Sequence, residues 1–158
     1  MSGWCFPTQV TRLFAQAGWT PGRHVAGSLE LPASFDFPPC VLAFLHEYGG
    51  LVVGDDFQGV DWRRSTLSFQ PALAEGQHSA EGAFGYYATL LHRPLFPLGL
   101  VVSNGCFLAT DREYRLYTLK DQCCLVADTL VEGISHLLLG TSSQVEAVLD
   151  EDSGSWKR

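Results

Sequence analysis

Apolar side chains near the start of the chain recur at Val10, Leu13, Phe14 and Ala17, the spacing of a helix that turns one face inward. Thr8 stands at the N-cap position and Gly18 just past the end, so a helix is expected over 8–17. A turn-rich passage follows, with Trp19 expected to anchor it and Arg23 expected to pair with an internal acid. A second helix opens at Pro38-Pro39 and runs to Tyr48 with Val41, Leu42, Phe44 and Leu45 on its apolar side, and Gly49 is expected to supply a left-handed exit. Leu51, Val52 and Val53 then read as a short strand, and 65–69 alternates as a half-buried strand does. Ala83, Tyr86, Tyr87, Leu90 and Leu91 predict a helix over 81–91, weakened by Gly82 and Gly85 at about 1 kcal/mol each relative to Ala. Pro94 and Pro97 end it. Strands over 98–102, 106–110, 116–119 and 124–127, joined by short polar turns, predict an antiparallel meander. Leu130, Ile134, Leu137 and Leu138 mark a closing helix over 129–139, stopped by Gly140.

This order of elements predicts an α+β domain over 1–140. Its central, mostly antiparallel sheet is packed with N-terminal, middle and C-terminal helices, with one face of the sheet under them. Beyond Gly140, four acidic residues (Glu146, Asp150, Glu151, Asp152) face Lys157 and Arg158, and the segment 141–158 reads as an acidic, mobile tail.

Charge narrows the partners. The 158 residues carry 10 Lys+Arg against 17 Asp+Glu, a net of −7, which repels phosphate backbones and anionic lipid heads. Direct nucleic-acid or membrane binding is therefore not expected. No apolar run reaches the roughly 18–20 residues of a membrane helix, and 1–14 lacks the features of a secretory signal, so a cytoplasmic protein is expected. Five irregularly spaced cysteines without an export signal read as reduced thiols.

The search for chemistry returns little, and no enzyme is expected. The histidines (His24, His46, His78, His92, His136) show no metal-clasping spacing, and no cofactor motif is present. Cys123-Cys124 precedes a strand, where alternation buries one thiol and exposes the other, between Asp121 and Asp128 rather than cations. Cys124 and His92 are the best candidates for a small thiol or histidine enzyme. Asp55, Asp56 and Asp61 put three carboxylates on one loop without the ligand alternation of a calcium site, and Trp62 beside them adds an aromatic anchor. These four residues, with Asp111 and Glu113, are the expected partner-binding set, suited to a basic protein surface. Arg112 and Arg115 make the 111–115 stretch a mixed charged turn.

The succession Ala17-Gly18-Trp19-Thr20-Pro21-Gly22-Arg23, then Phe44-Leu45-His46-Glu47-Tyr48-Gly49-Gly50-Leu51, resembles the third, immunity-protein branch of the SUKH superfamily. Phe69-Gln70-Pro71-Ala72-Leu73-Ala74, Phe96-Pro97-Leu98-Gly99, Phe107-Leu108-Ala109-Thr110-Asp111 and Leu116-Tyr117 continue the likeness in order, over roughly 10–140. Glu113-Tyr114, where the family often has a glycine turn, and Cys123-Cys124 depart from it. The resemblance implies a SUKH/SMI1-KNR4-like fold and an antidote that binds and silences a cognate polymorphic toxin, often a nuclease or deaminase, in the producing cell. Other branches imply an alternative, a regulatory module with a cellular partner.

Overall fold

The computed structural model describes residues 4–54, 64–140 and 147–157. Eight strands form one antiparallel sheet in sequence order: β1 (Val52–Val53), β2 (Leu67–Ser68), β3 (Phe96–Val101), β4 (Phe107–Thr110), β5 (Leu116–Leu119), β6 (Cys123–Ala127), β7 (Ala147–Asp150) and β8 (Ser155–Lys157). Among the described residues, four helices accompany them: α1 (Thr8–Gln16), α2 (Pro39–Tyr48), α3 (Ala83–Leu91) and α4 (Leu130–Leu139). A 3-10 turn, Pro71–Ala74, follows β2. The α+β class and the meander stand as the sequence predicts.

Both faces of the sheet are covered, where one was expected. α1, α2 and α4 bury Val10, Phe14, Phe44, Leu45 and Ile134 in one cluster with Leu108, Leu116 and Val126 of the strands. Side-chain alternation sends Ala109, Tyr117 and Leu125 to the other face, where α3 adds Phe84 and Tyr87. The helical pattern of 81–91 was therefore a second covering layer.

Several ends differ from expectation. Thr8 lies inside α1 behind Pro7 and caps nothing with its side chain. Gly49 is extended in sign, with φ −58°, and Gly50 carries the positive φ of 83° instead. Gly49 is small for lack of room, because a Cβ there would strike the Leu45 carbonyl and the Leu29 side chain. Pro97 lies within β3 rather than before it, at a register shift between Pro97 and Gly99 where the ladder is already interrupted. α4 begins as its sequence suggests, with the Thr129 hydroxyl accepting from Glu132 N–H at 3.1 Å and Gly140 leaving at φ 64°.

The C-terminal segment overturns its expectation most. Residues 147–157 form a hairpin that extends the sheet, with Cys124 opposite Val148 and Leu125 opposite Ala147. Ala147 and Leu149 are buried in the second cluster, and the Trp156 ring stacks on Tyr117 at 6.1 Å. Acidic composition concealed a strand whose alternate residues are apolar. Among the described residues, no helix is long and apolar enough to cross a membrane.

Candidate partner-binding surface

The end of α2 leaves backbone carbonyls with no helical partner. Arg23 reaches back from the turn after α1 and donates to two of them, Nη1 to Glu47 O at 2.6 Å and Nη2 to Gly49 O at 2.8 Å. A cation at a helix C-terminus also meets the favourable end of the helix dipole. Trp19 completes the lock: its indole Nε1 donates to Glu47 Oε2 at 3.3 Å and its ring stacks over Tyr48 at 6.3 Å. The expectation that Arg23 pairs with an acid is thus corrected, since its partners are main-chain carbonyls. Partial burial pulls its guanidinium below the ordinary value.

Asp111 follows β4 directly and is 1% exposed. Its Oδ1 accepts from the backbone N–H of Glu113 at 2.8 Å and of Arg115 at 3.2 Å. Its Oδ2 accepts from Arg115 Nε at 2.9 Å, Arg93 Nη1 at 3.2 Å and the Tyr117 hydroxyl at 2.7 Å. A buried carboxylate persists only when its lone pairs and charge are matched in this way. The site expectation for Asp111 as a direct contact is corrected accordingly: the side chain faces inward and holds the β4–β5 turn. Burial, then Asp111, raises the Tyr117 phenol above its ordinary value.

That turn also explains the departure at Tyr114. Its φ is 66°, a left-handed conformation that costs a non-glycine residue about 1–2 kcal/mol. Asp111 ties the neighbouring N–H groups, while the Tyr114 ring meets Trp4 edge-on at 5.2 Å. Burial and a hydrogen bond with Cys40 push its phenol up to about 12. Glu113, the next of the expected contacts, has its side chain 71% exposed and pairs with Arg115 Nη2 at 2.7 Å. Arg112 lies with its guanidinium 5.6 Å from the Phe96 ring centre. Arg93 and Arg115 therefore pair with Asp111 and Glu113, so the two carboxylates of this corner are already matched by cations.

Asp55, Asp56, Asp61 and Trp62 lie outside the described residues. The acidic surface that sequence reasoning missed is the β7–β8 turn. Asp150 there accepts from Asp152 N–H at 3.1 Å and pairs with Lys157 at 3.4 Å, and hydrogen bonding from Ser153 foremost holds its carboxyl below the ordinary value. Glu151 and Asp152 are exposed, and both, Glu151 foremost, raise the phenol of Tyr86 on α3 above its ordinary value. The signal was available in Val148-Leu149-Asp150 and Trp156 on either side of Ser153-Gly154, a strand, a turn and a strand.

The thiols are poorly set for nucleophilic work. Burial pushes Cys123 up to about 12 and raises Cys124 and Cys106 as well, Lys120 offsetting part of the effect at Cys106. Cys106 and Cys124 line an open groove of about 590 Å³ with Thr118, Lys120, Asp121 and Gln122. His92 ends α3 with φ 56°, on the covered side toward which Cys123 points, while alternation turns Cys124 to the opposite face. The structure does not bring that pair together. Among the described residues, no group of three or more His, Cys, Asp or Glu is placed to hold a metal ion.

The model of the SUKH-3 immunity protein family matches residues 6–140. The chain belongs to the SUKH-3 immunity protein family. No curated protein and no solved structure matched. Both the Trp19–Arg23 lock and the Asp111 turn fall inside the SUKH-3 span, so the motifs that carry the likeness are fold-building. The β7–β8 hairpin falls outside it.

Proposed function

We propose that this SUKH-3 protein neutralises a cognate polymorphic toxin, a nuclease or deaminase, by occluding the toxin's basic working cleft within the cytoplasm of the producing cell. Family membership over 6–140 together with the net charge of −7 carries this reading. A toxin that grips nucleic acid presents a positive cleft, and an acidic protein is drawn to it at rates up to about 10⁸–10⁹ M⁻¹s⁻¹ at low salt. The protein acts by contact and makes no covalent bond. The acidic loop residues Asp55, Asp56 and Asp61, the anchor Trp62 and the exposed Glu113 are proposed contacts, with Asp111 fixing the turn that bears Glu113.

Co-expression with the product of the adjacent toxin gene tests the reading. Rescue of growth and co-purification of the two chains are the expected results. Loss of both, with the immunity protein folded and abundant, would reject it.

A further inference from the structure

We propose that the β7–β8 turn and the outward face of α3 form one docking surface, fitted to an Arg- or Lys-bearing segment of the toxin. This rests on the toxin-binding reading above and says which face performs it.

The hairpin is anchored from beneath, by Ala147 and Leu149 in the second cluster and by Trp156 on Tyr117. Its turn therefore has a fixed place beside α3, where the Cβ position of Gly154 lies 3.9 Å from the Leu90 carbonyl. Tyr86 stands on the open side of that helix, 42% exposed, with its ring edge-on to Tyr87 at 5.0 Å. Glu151 foremost, with Asp152, raises the Tyr86 phenol above its ordinary value, as carboxylates of the neighbouring turn do. Asp150 is occupied by Lys157 and its own turn, so Glu151 and Asp152 give the surface its outward charge.

An exposed aromatic ring rimmed by carboxylates suits a guanidinium or ammonium group, which can lie over the ring while its N–H groups meet the acids. Charge chooses among the candidate occupants. A second copy of a −7 chain would bring like charge to like charge, whereas a basic cleft brings the opposite sign. The Asp111 corner, where Arg93 and Arg115 already pair with both carboxylates, is the poorer match to such a cleft. A standard interface needs about 800 Å² per partner, roughly a tenth of the 8264 Å² surface here. The hairpin lies beyond the residues that the family model matches.

The probe is the product of the adjacent toxin gene in a catalytically inactive form, titrated calorimetrically against the full chain. Tyr86→Ala is expected to weaken binding by about 10-fold or more, and Glu151→Lys with Asp152→Lys by about 10- to 100-fold with a flatter salt dependence. Tyr86→Phe, which keeps the ring, should stay within about threefold. Hydrogen exchange on the unmodified complex gives a readout independent of variant folding, with slowed exchange expected across 83–90 and 150–154. Unchanged affinity in folded variants, unslowed exchange there, or burial of Tyr86 in a homodimer would each overturn this surface while leaving toxin binding intact. Absence of binding by the unmodified chain would instead overturn the toxin reading, and this surface with it.

Discussion

Two acidic turns, Asp111-Arg112-Glu113 after β4 and Asp150-Glu151-Asp152 after β7, put the same chemistry to opposite use. At the first, the leading aspartate is buried and five donors converge on it, two of them arginine side chains that also reach the surface. At the second, the leading aspartate makes a local turn and an exposed ion pair, and the next two carboxylates face outward. The first lies within the family span and the second beyond it. Net charge alone cannot distinguish a carboxylate that closes a turn from one that meets a partner. The difference is made by whether arginine and tyrosine side chains arrive from elsewhere in the fold.

The largest effect that would break this comparison is at Asp111. Asp111→Ala leaves Arg93, Arg115 and Tyr117 with an unmatched buried centre and should destabilise the fold by about 3–5 kcal/mol in urea denaturation. Glu151→Gln with Asp152→Asn should change stability by no more than about 0.5 kcal/mol. Equal costs at the two turns would erase the distinction. Next comes Arg23→Ala, which strips two charge-assisted hydrogen bonds from the end of α2 and should cost about 1.5–3 kcal/mol by the same measurement. Arg23→Lys should recover part of the loss, since an ammonium cannot reproduce the guanidinium fork.

These two sites also show what a one-dimensional reading can and cannot reach. The helices were legible because each buries one stripe, as Val10, Leu13 and Phe14 do, and period alone reveals a stripe. The meander was legible from short apolar runs divided by polar turns. Asp111 was not, because an aspartate in a charged turn reads as solvated, and one decisive partner, Arg93, lies 18 residues away on the far side of β3 and β4. Arg23 was noticed as a charge among turn residues, but its carbonyl partners exist only once α2 has ended beside it. Gly49 was expected to turn the chain; close packing against Leu29 and Leu45, invisible in the local sequence, is what excludes a side chain. The hairpin was hidden by its composition, three acids outweighing the few apolar positions that seat it.

Trp156 sharpens the comparison from the other side, since it ties the outward-facing turn to the sheet. Trp156→Ala removes the stack on Tyr117 and should lower stability by about 0.5–1.5 kcal/mol. Hydrogen exchange should quicken across 147–157 before it quickens at β4 and β5. If instead the whole sheet loosens together, the hairpin is part of the common core and not an appended surface element.

The smallest expected effect concerns a group between the two extremes, His46, half-buried on α2 with its ring 4.9 Å from that of His24. Desolvation foremost, then the charge of His24, lowers its pKa from the ordinary 6.5. The unfolded chain therefore takes up a proton at this site before the folded chain does, and stability must fall as pH drops through about 6.5 toward the lower folded value. Above that window the contribution is fully present; below the folded value the loss is complete. Because the group is only partly shielded from water, the slope should be shallow. Thermal melts of the unmodified chain and of His46→Gln between pH 7.5 and 5 isolate it, the variant losing the portion of the slope that His46 contributes. Parallel melting curves for the two chains across that range would place His46 with the outward-facing groups, beside Glu151 rather than Asp111.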